Sequence, residues 1–259
     1  MPDTSPKATA AASGASATER FLTDQNGTRT PMETTRVDIL ATEIITALHD
    51  VIRRHQVTYQ EYDALKSWLI SARQDGEWPL FLDVWVEHVV EEVAHSTREG
   101  SKGTIEGPYY VPAAPELPSV ATLPMRADEP GTPLRFTGQV TDVSGEPLPA
   151  AVPEMWQADD EGRFAVTTIQ PDPYQIPTDG SCGRLIAAAG WHAWRPAHIH
   201  LKVSAPVHEP LTTQLYFRGG AHIEDELASA VKAELVLEPK PTADGGTEVG
   251  YDFALAPSA

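Results

Sequence analysis

The 259-residue chain has one cysteine, Cys182. It can close no intramolecular disulfide and supply no cysteine-ligated zinc or iron–sulfur site, and such scarcity suits a reducing cytosol. Positive charge is also sparse. Lys and Arg number 19 against 37 Asp and Glu, a formal net charge of −18, which disfavours nucleic acid and anionic membranes as partners. Long apolar runs are missing as well. Residues 185–194 hold no Asp, Glu, Lys or Arg, but this stretch is about half of the roughly 20 residues that a membrane span needs. The first residues are rich in Ala, Ser and Thr without the apolar centre of a signal peptide, so residues 1–33 are expected to be a disordered tail on a cytoplasmic chain. There is no internal repeat, no glycine-rich phosphate loop and no Gly-x-Ser-x-Gly elbow.

Proline is plentiful, with 23 residues, most of them after residue 107. That shift divides the chain. Before it, apolar residues at 37, 40, 41, 44, 48, 51 and 52 follow the spacing of one helical face and predict a first helix. Thr58 and Glu61 form a capping-box pattern for a second, which carries Leu65, Trp68 and Leu69 and stops at Gly76. Pro79 suits the first turn of a third, running through Leu82, Val86, Val89, Val90 and Val93. After Gly103, short alternating runs bounded by turn residues predict strands near 134–140, 152–156, 163–169, 197–203, 213–217, 233–237 and 249–253. With no helix of 10–15 residues between them, a mainly antiparallel β-sandwich is expected. The fold class is therefore α+β: a helical domain over residues 34–100 and a sandwich over 101–259.

The most informative segment is Arg195-Pro196-Ala197-His198-Ile199-His200. Side chains two apart in a strand share a face, so His198 and His200 can present adjacent imidazoles to one metal ion. Two hydrogen-bonded strand histidines are the plainer alternative. Tyr174 lies in the proline-framed loop Pro171-Asp172-Pro173-Tyr174-Gln175-Ile176-Pro177, which would fix its hydroxyl in space. Histidine with phenolate is a nitrogen and oxygen set that suits ferric iron, with zinc as the competitor. Arg195 could place a guanidinium near a bound anionic oxygen or could form a surface ion pair. Glu92 and His95 have the spacing of a di-iron ligand pair, but only one such motif is present, so a solvated face is expected. His49, His55 and His88 read as surface residues on helices. Glu224-Asp225-Glu226 reads as a helix N-terminus or a solvated loop.

The chain resembles the intradiol ring-cleavage dioxygenases, in the branch that acts on catechol and hydroxyquinol. The likeness is carried by Gly76-Glu77-Trp78-Pro79-Leu80-Phe81-Leu82-Asp83, Thr104-Ile105-Glu106-Gly107-Pro108-Tyr109-Tyr110, Pro173-Tyr174-Gln175-Ile176-Pro177, Trp194-Arg195-Pro196-Ala197-His198-Ile199-His200 and Leu211-Thr212-Thr213-Gln214. The resemblance implies a helical dimerisation domain, hence a homodimer, and a catalytic sandwich. It implies a non-haem Fe(III) held by two tyrosines and two histidines, with a small aromatic diol and O₂ as substrates. Tyr174, His198 and His200 match three of the ligands. Tyr174, Arg195 and Gln214 match catalytic positions, and Leu80, Asp83, Ile105, Gly107, Pro108 and Tyr109 match pocket positions.

The first tyrosine ligand has no match. In the family it follows the strand that here ends Glu154-Met155-Trp156-Gln157-Ala158-Asp159, whereas here Asp160-Glu161-Gly162-Arg163-Phe164 aligns with a later strand. The ligand-bearing segment is thus expected to be deleted. Under the other alignment Phe164, which cannot coordinate, falls near the tyrosine position. Tyr109, Tyr110 and Tyr216 are the remaining tyrosines near matched segments. Intradiol cleavage of catechol is the expected activity, with hydroxyquinol as the other substrate. A catalytically impaired relative and, far behind, a zinc hydrolase are the alternatives.

Overall fold

The computed structural model describes residues 15–27, 35–107, 117–126, 128–149, 151–153, 160–227 and 231–258. The chain forms two compact units, one ending at Ser67 and one beginning at Trp68, so the change of unit falls inside a helix.

The first unit holds α1 (Ala17–Gly27), α2 (Arg36–His55) and the start of α3 (Tyr59–Asp75). Helix α1 lies within the segment expected to be a tail. Thr18 joins it to α2 through a 2.7 Å hydrogen bond to His49 Nδ1, and Phe21 packs edge-on to the His49 ring. His49 is therefore partly covered. Thr35 caps α2 through the Asp38 amide. The capping box at α3 is reciprocal: the Thr58 amide donates to Glu61 Oε2 at 2.7 Å, and the Glu61 amide to Thr58 Oγ1 at 3.3 Å. None of the residues of α2 is buried, although its apolar stripe is intact.

The second unit begins with the rest of α3. The expected third helix is two, α4 (Trp78–Trp85) and α5 (Glu87–Ala94). Val86, at φ −125°, leaves helical geometry between them. Pro79 takes the first turn of α4, as expected. Trp68, Trp78, Phe81 and Trp85 form a chain of ring contacts along α3 and α4.

Two sheets face each other across a common core. One contains β1 (Val120–Thr122), β2 (Pro133–Asp142), β4 (Arg163–Ile169), β10 (Lys240–Pro241), β11 (Thr247–Gly250) and β12 (Phe253–Leu255); the other contains β3 (Val152–Pro153), β7 (His198–Ser204), β8 (Leu211–Phe217) and β9 (Val236–Leu237). A two-stranded ribbon pairs β5 (Tyr174–Gln175) with β6 (Trp194–Arg195). The longest ladders, β2 with β4 and β7 with β8, are antiparallel, as is β10 with β11, while β1 pairs with β4, β9 with β8, and β11 and β12 with β2 in parallel. Leu134, Phe136, Val140, Phe164, Val166 and Phe253 from one sheet meet Leu201, Val203, Leu215 and Phe217 from the other. Gly138 shares the inward face of β2 because a Cβ there would strike Tyr251 and Phe164.

Three expectations shift in detail. The 152–156 strand is described as the short β3, which pairs with β7; residues 154–156 lie outside the described residues. The 249–253 strand is two, β11 and β12, each alongside β2. A nine-residue helix, α6 (Ser181–Ala189), sits between β5 and β6 and ends at left-handed Gly190. It buries Cys182, whose thiol pKa is pushed up to about 12 by burial and by the Glu77 carboxylate.

Candidate metal and substrate site

Strand β7 alternates as its sequence requires. Leu201 and Val203 face the core, and His198 and His200 face the other way, opposite Tyr216 and Gln214 of β8. Tyr174 stands directly opposite Arg195 in the ribbon, and its ring centroid is 5.6 Å from that of His198. Strand alternation, cross-strand register and a proline-framed loop thus bring Tyr174, Arg195, His198, His200 and Gln214 together.

The two imidazoles are aimed at one point. His198 Nδ1–H donates to the Pro196 carbonyl at 2.7 Å, and the Glu106 carbonyl accepts from the His200 ring. The Nε2 atoms of both rings point inward, 3.0 Å apart. Burial, and after it His200 and Arg195, lower the His198 pKa to about 3; burial and then Arg195 lower His200 to about 4. His200 keeps an edge open to solvent, which screens it more, so the effect is firmest for His198. Nitrogen ligands of a first-row metal sit about 2.1 Å from the ion, so a pair at right angles is about 3.0 Å apart and a tetrahedral pair about 3.4 Å. The histidines fit a metal ion with right-angled ligands, and the Pro196 carbonyl on the outer nitrogen of His198 is the usual support for such a ligand.

A strap over residues 102–107 holds this arrangement against β8. Thr213 Oγ1 donates to the Lys102 carbonyl at 2.9 Å, the Thr104 amide to the Thr212 carbonyl at 3.0 Å and Gln214 Nε2 to the Ile105 carbonyl at 2.9 Å. Gly107 closes it with φ +76°, and a Cβ there would lie 3.1 Å from His200 Cε1. Ile105 is buried. Leu80 packs with Tyr174 around Val84, Ile176, Ile186 and Ala193. Asp83 is in α4, where burial raises its pKa, and its charge helps raise that of Glu87 in α5. Pro108 and Tyr109 lie outside the described residues.

Arg195 is not on the surface. Its Nε is 2.7 Å from Glu226 Oε1, with 5% and 2% of the two side chains accessible, and its Nη2 donates to Gln214 Oε1 at 3.3 Å. Glu226 is thus a buried ion-pair partner and not part of a solvated acidic run; Glu224 and Asp225 are exposed. Sequence reasoning missed it because an acidic triplet carries no mark of which member turns inward. Tyr216 is fully buried, its hydroxyl donates to Gln214 Oε1 at 2.8 Å and burial raises its pKa, so it is held protonated. His95 bonds to Glu91 at 2.9 Å while Glu92 is exposed. His88 is half-buried, with its Nδ1 enclosed.

The family models match on both sides of the chain's division. Residues 34–102 match the catechol dioxygenase N terminus, and the dioxygenase model matches in two stretches, 105–165 and 158–257. The chain belongs to the intradiol ring-cleaving dioxygenases. Chlorocatechol 1,2-dioxygenase from Rhodococcus opacus is 38% identical over 250 residues, covering 86% of this chain and 97% of that protein. The 6-chlorohydroxyquinol 1,2-dioxygenase of Cupriavidus pinatubonensis is 30% identical over 254 residues, covering 86% and 91%. Among solved structures, 3-chlorocatechol 1,2-dioxygenase from Rhodococcus opacus superposes with a TM-score of 0.81 at 41% identity, covering 86% of this chain and 98% of that one. The α+β architecture is that of this family, and among the described residues no helix is long and apolar enough to cross a membrane.

Proposed function

We propose that the chain is an Fe(III)-dependent intradiol dioxygenase that cleaves catechol-type rings between the two hydroxyl-bearing carbons. Catechol and O₂ combine to give cis,cis-muconate, both oxygen atoms entering the product, so no external reductant is needed. The observation that carries the reading is the pair of converging, neutral Nε2 atoms of His198 and His200 beside Tyr174 and Arg195.

His198 and His200 would hold a ferric ion as neutral ligands and Tyr174 as a phenolate; such an ion would supply Lewis acidity toward the diol oxygens. The Tyr174 oxygen can take the proton that a diol hydroxyl loses on binding. Arg195 faces the charge that develops on the ring, and Gln214, itself fixed by the Ile105 carbonyl, keeps that guanidinium from turning away. Leu80 and Ile105 provide apolar wall.

We infer slow turnover from the sequence reading of the first tyrosine ligand. The dioxygenase model matches in two pieces that meet at 158–165, where the segment with the first tyrosine ligand is missing by the sequence reading. One tyrosinate neutralises the ferric ion less than two, and the lost segment would have walled the site from water. The substrate is catechol or one of its chlorinated or hydroxylated forms, since the relatives are named for those. The exposed stripe on α2, with Val37 76% and Ile44 61% accessible, is covered by a second copy in a homodimer, and the protein works in the cytoplasm. The test is oxygen uptake with catechol, 3-chlorocatechol and hydroxyquinol on iron-reconstituted protein, following the muconate product. Slow formation of a ring-opened diacid supports the reading; an extradiol aldehyde product, or hydrolysis without O₂ uptake by the zinc-loaded chain, overturns it.

A further inference from the structure

Arg195 is gripped at two of its nitrogens. Nη2 meets Gln214, and the guanidinium also donates to the Tyr216 hydroxyl. Nε meets Glu226, in the close contact of an ion pair whose angle is not that of a straight N–H···O bond. Glu226 is not on a strand of the site. It arrives from a turn, and a carboxylate leaves water at such a place only when a cation receives it.

That turn is itself fastened. The proton of His192 is on Nε2, which donates to the Asp225 carbonyl at 2.7 Å, while the Trp194 amide donates to His192 Nδ1 at 3.2 Å. His222, at φ +63°, stacks on the Trp194 ring with centroids 5.3 Å apart and planes 6° from parallel. Ligand atoms of His192, His222 and Asp225 gather within 4.8 Å, but His192 has both nitrogens committed, one as donor and one as acceptor. The cluster is a clamp. It ties the residues just before Arg195 to those just before Glu226.

We propose that Glu226 is the positioning residue for Arg195: brought in by the clamped 222–226 turn, its carboxylate fixes the guanidinium's direction and thereby strengthens the site's hold on an anionic diol oxygen. This rests on the reading of Arg195 as the substrate's electrostatic partner. Simple charge neutralisation by Glu226 has the opposite consequence, since removing a carboxylate beside a guanidinium would tighten anion binding. The two roles are separable by sign.

The first arm uses the metal-free, ¹⁵N-labelled full chain and follows the Arg195 Nε–H resonance, identified by its loss in Arg195→Lys. The expected wild-type signal is distinct and slow to exchange. Glu226→Gln, which keeps an acceptor of the same length, retains it, and Glu226→Ala sends it to the free-arginine position while the backbone amide spectrum stays folded. An unchanged signal in Glu226→Ala overturns the proposal. If Glu226→Ala does not fold, Glu226→Asp, one methylene short, reads the same loss.

The second arm measures 4-nitrocatechol affinity under anaerobic conditions on iron-loaded protein, with iron per chain determined for every variant. Glu226→Ala is expected to bind about tenfold more weakly, Glu226→Gln within about threefold of wild type, and Glu226→Ala to add nothing in an Arg195→Lys background. Tighter binding in Glu226→Ala, or an equal loss in the Arg195→Lys background, overturns the positioning role. If the first arm gives its expected result and wild type binds no 4-nitrocatechol, Glu226 still holds Arg195 and it is the reading of the site that fails.

Discussion

His198 Nε2 and His200 Nε2 face each other at 3.0 Å, and the outer nitrogen of His198 donates to the main-chain carbonyl of Pro196. Such a pair is placed to hold a cation between its two inner nitrogens. His198→Ala and His200→Ala should each lower iron per chain at least tenfold after dialysis against a weak chelator. Circular dichroism should stay at wild-type values, because both side chains lie on the face of β7 away from the sandwich core. Wild-type iron loading in either variant would remove the ligand assignment.

The metal-free protein should be acid-sensitive through His198. Its folded pKa of about 3 lies below the ordinary 6.5, so below pH 6.5 the unfolded chain takes a proton that the folded chain refuses. Stability is therefore complete above pH 6.5 and lost as pH falls toward 3. Between pH 7.5 and 5.5 His198 should account for a loss on the order of 1 kcal/mol. Urea midpoints at the two pH values measure it, and His198→Gln should flatten the difference by that amount.

Gly107→Ala tests the strap. The left-handed φ of +76° disfavours any Cβ, and this Cβ would press on His200 Cε1, so a destabilisation of about 1–2 kcal/mol is expected. The displaced imidazole should also release iron faster to a chelator. Unaltered iron release would show that Gly107 does not set the His200 ring.

Much of this was legible in the chain. Strand alternation alone places His198 and His200 on one face, the capping box marks where α3 begins, and Pro79 marks the start of α4. What escaped were features with no local signature. Val86 breaks a helix whose apolar spacing continues unbroken across it. Helix α6 is shorter than the window in which a helical period declares itself. The burial of Glu226 depends on Arg195, distant in sequence, and the partner of β3 is β7, about 50 residues further along the chain.

Ile44→Glu tests the homodimer. Ile44 is 61% accessible in the single chain, so the change should cost the monomer fold little while placing a charge in the interface. Sedimentation at micromolar concentration should show a dimer for wild type and a monomer for the variant. A monomeric wild type would contradict dimerisation through α2.

The central assignment, ferric iron held by Tyr174, His198 and His200, is tested most directly by the visible spectrum of iron-loaded protein before and after Tyr174→Phe. With Tyr174 the one phenolate on the ion, wild type should show a tyrosinate-to-iron charge-transfer band and about one iron per chain, and Tyr174→Phe should lose the band completely while His198 and His200 keep part of the iron. A colourless iron-loaded wild type, or a band that persists in Tyr174→Phe, would contradict it.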